Sequence, residues 1–185
     1  MPSANDLRKG MGIKYNNDIC LVLDMQHRTP GNLRAFVQAT IRSLKTGKSS
    51  LVRFASTEPI EVVNMTTRRV DYSYKDQSGY HFMDPETYET IALNEEFVGD
   101  SKNYLTENLR CTLTEVEGKI AELELPPAVE LKVLEAPPGI RGDTATNVTK
   151  PAKVETGIEV AVPIFINPGD SIRVDTRTGK YLNRV

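Results

Sequence analysis

The chain holds 185 residues, with 23 Lys and Arg against 25 Asp and Glu, a net charge of −2, and 39% hydrophobic residues. Such proportions fit one globular domain or several small ones and exclude wholesale disorder. The longest apolar runs are about five residues, far below the roughly 20 that a membrane helix needs, and residues 1–10 lack the apolar stretch of a signal peptide. Cys20 and Cys111 lie far apart, without a disulfide framework or metal-ligand spacing. The expectation is a soluble cytoplasmic protein with reduced thiols.

In chain order, the predicted elements are mostly short strands. Ile19-Cys20-Leu21-Val22-Leu23 is an apolar, partly β-branched run. Residues 35–42 alternate, so Phe36 faces away from Val37. Lys45-Thr46-Gly47-Lys48 is a turn before a strand at 50–54. Tyr72-Ser73-Tyr74 and Tyr80-His81-Phe82-Met83 flank Asp76-Gln77-Ser78-Gly79, a hairpin signal. Asp84-Pro85-Glu86 suits a single capped turn, and 94–105 suits one or two short helices. Strands at 111–116 and 119–125 flank Glu117-Gly118. Further strands fall at 129–134, 157–166 and 171–175, with Thr178-Gly179 ahead of the last. Turn residues every 8–12 positions are the spacing of small barrels or sandwiches.

The charge is unevenly spread. Cuts near 65 and 126 give net charges of +4 for 1–65, −7 for 66–126 and +1 for 127–185. Pro126-Pro127 and Pro137-Pro138-Gly139 are strong breakers. These cuts predict three β domains of about 60 residues, each marginal alone at that size. The global pI of 5.8 lacks the usual basic footprint of a nucleic-acid binder, but the first segment does not share that average.

No site for chemistry is evident. Phosphate-binding glycine loops and the nucleophile elbow are absent. His27 and His81 have no His or Cys at ligand spacing. His81 reads as a packed or half-exposed strand residue, and Cys20 as a small buried hydrophobe. No cofactor, metal or catalytic residue is expected.

One loop stands out. Between the strands at 19–23 and 35–42 lie Pro30-Gly31-Asn32-Leu33-Arg34. Pro30-Gly31 is a turn dipeptide, and Asn32 tolerates left-handed backbone, so a tight hairpin tip is natural. Arg28 and Arg34 bracket it, and Arg42, Lys45, Lys48 and Arg53 follow. Their alternation with apolar residues puts several on one solvent face. Such a face can meet phosphates by counterion release, or be merely solvated; the pattern alone does not choose.

From end to end, the sequence resembles bacterial elongation factor P. Residues 4–10 resemble that family's opening, and Pro30-Gly31-Asn32-Leu33-Arg34-Ala35-Phe36 its P-G-K-G-x-A-F loop. The pattern K-x-A-x4-G-x2-[LIV]-x-V-P-x2-[LIV]-x2-G-[EQ] is met by Lys150, Ala152, Gly157, Val160, Val162, Pro163, Ile166 and Gly169. Asp170 departs from the usual Glu or Gln. Gly139, Gly142-Asp143-Thr144 and Lys150-Pro151-Ala152 fit the P-G-x-x-G-D-T…K-P-A loop, and residues 179–185 fit the family's ending.

The resemblance implies an all-β fold of three barrels, an N-terminal SH3-like (KOW-type) domain at 1–65 and OB domains at 66–126 and 127–185, in a tRNA-like L shape. It implies a non-enzymatic, monomeric translation factor that binds the 70S ribosome beside the P-site peptidyl-tRNA, touches 23S rRNA, and relieves stalling at consecutive prolines. By the same resemblance, the 30–34 tip meets the tRNA acceptor end, and Arg28, Arg42, Lys45, Tyr181 and Arg184 meet tRNA or rRNA. Gly142, Asp143 and Thr144 lie near the E-site codon and small subunit. Turn chemistry and strand packing are the plain alternatives for residues 142–144 and for Tyr181.

The tip departs from the family where Lys or Arg, often modified, is usual. Asn32 offers no amine or guanidinium for such modification and has a shorter reach. Three readings stay open: an unmodified loop acting through backbone stiffness and the Asn32 amide, a cationic contact moved to Arg34, or a paralogue with weaker or different activity. A free RNA-binding OB protein is the alternative from another class, disfavoured by the absence of Trp.

Overall fold

The computed structural model describes residues 1–31, 33–139 and 148–185. Among these, fifteen strands form three five-stranded sheets, the all-β class expected from the turn spacing.

The first sheet holds β1 (Gly12–Tyr15), β2 (Asp18–Arg28), β3 (Phe36–Ser43), β4 (Ser49–Ala55) and β5 (Val62–Val63), in the order β4-β3-β2-β1-β5. Asn16-Asn17 joins β1 to β2 with φ of 49° and 60°. Positive φ at both positions is what a two-residue type I′ turn requires, and Asn tolerates it. In β3, Val37, Ala39 and Ile41 are buried, while Phe36, Gln38, Thr40 and Arg42 alternate with them on the outer side. The inward residues pack with Leu7, Ile13, Val22 and Phe54 in one core. Each large aliphatic or aromatic side chain there contributes about 1.5–3 kcal/mol by burial.

The second sheet holds β6 (Met65–Asp76), β7 (Gly79–Met83), β8 (Thr90–Leu93), β9 (Arg110–Val116) and β10 (Lys119–Glu124), in the order β10-β9-β6-β7-β8. Gly79 opens β7 at φ 134°, and a Cβ there would collide with the carbonyl oxygen of Leu93. Asp84 forms a side-chain turn, accepting from the N–H groups of Glu86 and Thr87 at 2.8 and 3.2 Å. The expected helices at 94–105 are α1 (Glu95–Val98), capped by Asn94 at 2.7 Å from the Phe97 N–H, and a 3₁₀ turn over Gly99–Tyr104. Both cysteines are buried, and burial pushes the Cys111 thiol up to about 12.

The third sheet holds β11 (Ala128–Glu135), β12 (Thr149–Val154), β13 (Glu159–Pro163), β14 (Ser171–Asp175) and β15 (Tyr181–Arg184), in the order β13-β12-β11-β14-β15. The strand expected at 157–166 is shorter at both ends. Gly157, at φ 93°, closes a turn through its N–H to the Val154 carbonyl. At the other end Pro163 has no N–H to give. Leu131, Val133, Val154, Val162 and Ile172 fill this core. Lys150 is buried, and its Nζ donates to the Pro137 carbonyl at 2.8 Å.

The chain forms two compact units, Met1–Thr67 with Leu113–Glu122, and Arg68–Thr112 with Leu123–Val185. The first therefore takes in the β9–β10 turn, Glu117-Gly118, which is type I′ with φ of 51° and 76°. Asn64 binds that turn twice, its N–H donating to Glu117 Oε1 and its carbonyl accepting from the Glu117 N–H, both at 3.0 Å. In the second unit, Tyr104 and Leu109 pack on the third sheet's core. Among the described residues, no helix is long and apolar enough to cross a membrane.

Candidate nucleic-acid interface

The loop between β2 and β3 is built from turn chemistry. Pro30 fixes its own φ, Gly31 sits at φ 26°, and the Leu33 N–H donates to the Pro30 carbonyl at 2.8 Å. Nothing lies within 4 Å of a Cβ placed on Gly31, so this part of the tip stands clear of the protein. Leu33 is 71% exposed and Arg34 is exposed. Asn32 lies outside the described residues. The strands beneath are anchored by the fully buried Val22 and Val37, so an exposed tip rides on a rigid hairpin.

The remaining predicted contacts divide. Arg28 ends β2, exposed, and its guanidinium donates to Gln26 Oε1 at 2.9 Å. Lys45 is exposed in the turn after β3. Arg42 differs: it forms an ion pair with Glu122 at 2.9 Å, with both side chains only about a fifth exposed (21% and 19%). A half-buried, charge-assisted bond of this kind holds the guanidinium to the protein. The partner lies 80 positions away, which is why local sequence pattern gave no sign of it. Arg42→Met is expected to destabilise the first unit by roughly 1–3 kcal/mol. In a double-mutant cycle with Glu122→Gln, urea unfolding should show a coupling of roughly 0.5–3 kcal/mol.

Tyr181 opens β15 opposite Val174, packed against the third core. Arg184 ends that strand with its guanidinium 5.8 Å from the centroid of the Phe165 ring, itself 55% exposed. Gly142, Asp143 and Thr144 lie outside the described residues.

The acidic middle segment holds its own cations. Glu95 binds Lys102 at 2.7 Å and Lys75 at 3.3 Å, and these bonds hold its carboxyl below the usual range. At the β6–β7 turn, His81 stacks on Tyr74 with centroids 4.4 Å apart, and its Nε2 lies 2.8 Å from Asp76. The Ser78 hydroxyl, then His81, hold the Asp76 carboxyl down to about 2. Its lowered folded pKa means that this contribution is fully present above about pH 4, the unfolded value. It is lost as the pH falls through about 2. Carboxyl-carbon NMR titration should find Asp76 among the last carboxylates to protonate. Among the described residues, no group of His, Cys, Asp and Glu could hold a metal ion.

Three family models cover nearly the whole chain: the Elongation factor P KOW-like domain at residues 3–60, its OB domain at 65–123, and Elongation factor P, C-terminal, at 129–184. The KOW-like and OB assignments fit the sheets described above. Curated relatives are similar over their full length. Elongation factor P of Acidobacterium capsulatum is 46% identical over 181 residues, covering 98% of this chain and 97% of that protein. Those of Symbiobacterium thermophilum and Clostridioides difficile are 44% and 45% identical, with each chain covered completely.

Proposed function

This chain belongs to the elongation factor P family, and from that premise we propose that it binds the 70S ribosome beside the P-site peptidyl-tRNA and stimulates peptide-bond formation at consecutive prolines. The observation that carries this reading is the exposure of Pro30, Gly31, Leu33 and Arg34 on a hairpin rooted in a buried core. Proline reacts slowly as donor and acceptor, in part because its ring fixes φ. A rigid probe at the tRNA acceptor end lowers that barrier by restricting the reactants to productive geometry. The ribosome performs the transfer, so the factor is a positioning device and not itself an enzyme.

On this reading the chain acts in the cytoplasm as a monomer of three segments, 1–65, 66–126 and 127–185. Its tip meets the acceptor end, and Arg28 and Lys45 meet tRNA or 23S rRNA. Tyr181 and Arg184 meet RNA at the other end, and residues 142–144 approach the E-site codon. Asn32 brings no cation, so the loop works unmodified through its backbone, with Arg34 as the nearest charge. Intact mass from the native host tests this, with an unmodified chain expected.

Synthesis of a reporter with three consecutive prolines, with and without the protein, tests the function. Addition should relieve the stall. Arg34→Ala should lower that stimulation severalfold and weaken ribosome binding, as loss of one phosphate contact does. Unchanged stimulation by Arg34→Ala would remove Arg34 from the contact. No stimulation by the wild-type protein would overturn the reading.

A further inference from the structure

A cleft of about 470 Å³ lies within the second compact unit, lined by residues of the second and third sheets and their connections. That volume is within the range of small-molecule sites. On one part of its wall, Lys75 of β6 and Lys102 of the 3₁₀ turn bind the two oxygens of the Glu95 carboxylate, Oε2 at 3.3 Å and Oε1 at 2.7 Å. An ammonium group has three donors, and Glu95 takes one from each. Two positive charges against one negative leave this part of the wall cationic, with N–H groups still to give. The buried Tyr80 and Leu105 line the cleft beside them.

The turn between β12 and β13 supplies groups of a different kind. Glu155 is exposed, and its Oε1 accepts from the Lys132 N–H at 2.9 Å. That bond steadies the carboxylate and leaves Oε2 for another donor. Thr156 follows, its hydroxyl oxygen buried without a hydrogen-bond partner among the described residues. Buried polar side-chain atoms in native proteins nearly always have a partner, and this hydroxyl has both a donor and an acceptor to offer. Glu107, also on the wall, adds a second carboxylate.

We propose that this cleft binds a small phosphate ester bearing vicinal hydroxyls, the chemistry that nucleoside and sugar monophosphates share. Lys75 and Lys102 take the phosphate through charge-assisted bonds. Glu155 and Glu107 accept from the hydroxyls, as a carboxylate does from a ribose, and Thr156 gains the partner it lacks. A bare anion would satisfy the lysines but face two carboxylates, and a bare cation would meet the ammonium groups. A ligand that is anionic at one end and rich in O–H donors at the other fits both. Residues 66–126 carry 6 basic and 13 acidic side chains, a field that repels an RNA strand; a single phosphate is neutralised where the two lysines meet. The site does not depend on the ribosome-binding reading above.

The test is isothermal titration calorimetry of the full chain with uridine monophosphate, a hexose monophosphate, uridine and inorganic phosphate. Saturable binding of either monophosphate, or of both, is expected, and which of them binds identifies the source. Uridine should not bind, and inorganic phosphate should bind roughly tenfold more weakly or worse, having no hydroxyls for the carboxylates. Lys102→Gln should weaken binding roughly tenfold, the loss of one charged hydrogen bond. Thr156→Val should weaken it severalfold yet unfold no lower than the wild type, because the deleted hydroxyl bonds nothing in the free protein. Lys119→Gln, which does not line the cleft, should bind as the wild type does. Absence of binding by both monophosphates would overturn the site. So would inorganic phosphate binding as tightly as the esters, wild-type affinity in Lys102→Gln or Thr156→Val, or an equal loss in Lys119→Gln.

Discussion

Phe82→Ala is expected to lower the unfolding free energy by about 3–5 kcal/mol, the usual cost of deleting a fully buried aromatic side chain. Phe82 is 0% exposed on β7. It lies opposite Tyr72 on β6 and Ile91 on β8, with its ring 5.5 Å from that of Tyr72. The loss combines transfer of the ring to water with a cavity between three strands that cannot all close over it. Urea unfolding followed by hydrogen exchange of the second sheet would measure it. The exposed Leu51, 63% accessible, supplies the contrast, since Leu51→Ala should change stability by less than about 0.5 kcal/mol. A Phe82→Ala loss below about 1 kcal/mol would contradict the packing described, given typical aromatic deletions.

Replacing residues 30–34 with two glycines is expected to abolish stimulation of the three-proline reporter, a drop of up to about 100-fold if positioning is the whole contribution. The strands should survive, because Pro30, Gly31, Leu33 and Arg34 are exposed and a shorter connection still closes an antiparallel pair. Ribosome binding should weaken less than activity does, since Arg28 and Lys45 lie outside the replaced segment. A shortened protein that still relieved the stall would show that the effect arises elsewhere in the chain. Loss of activity with binding largely retained would separate holding the factor in place from orienting the tRNA end.

Local pattern made much of the fold legible. The alternation from Phe36 to Arg42 predicted which residues of β3 face inward, and Val37, Ala39 and Ile41 are buried as that period requires. Gly79 and Glu117-Gly118 marked hairpins because few residues adopt those backbone angles cheaply. The β13 strand was overextended because Ile164, Phe165 and Ile166 continue the apolar run past Pro163, where the missing N–H ends pairing. Asn16-Asn17 carried a turn signal that was not read, although two consecutive Asn residues suit positive φ at both positions.

The candidate site was legible only in part. The tip followed from Pro30-Gly31, a local signal. The state of each cation did not follow, because it depends on partners distant in sequence. Arg42 and Arg53 both looked like solvent-face cations; the structure pairs one with Glu122 and stacks the other on Phe36. Register, absent from a one-dimensional pattern, decides between them.

The first compact unit draws residues 113–122 into the company of residues 1–67. During synthesis, the amino-terminal strands leave the ribosome well before the hairpin that contributes Glu117 and Glu122. Until that hairpin arrives, Asn64 and Arg42 have their polar groups in water, and the unit is unfinished. Domains generally fold as their chains emerge, but here completion of the first waits on a later stretch of message. Pauses in decoding between those stretches would therefore lengthen the life of an incomplete unit, and its assembly is tied to the pace of the machine that the finished protein serves.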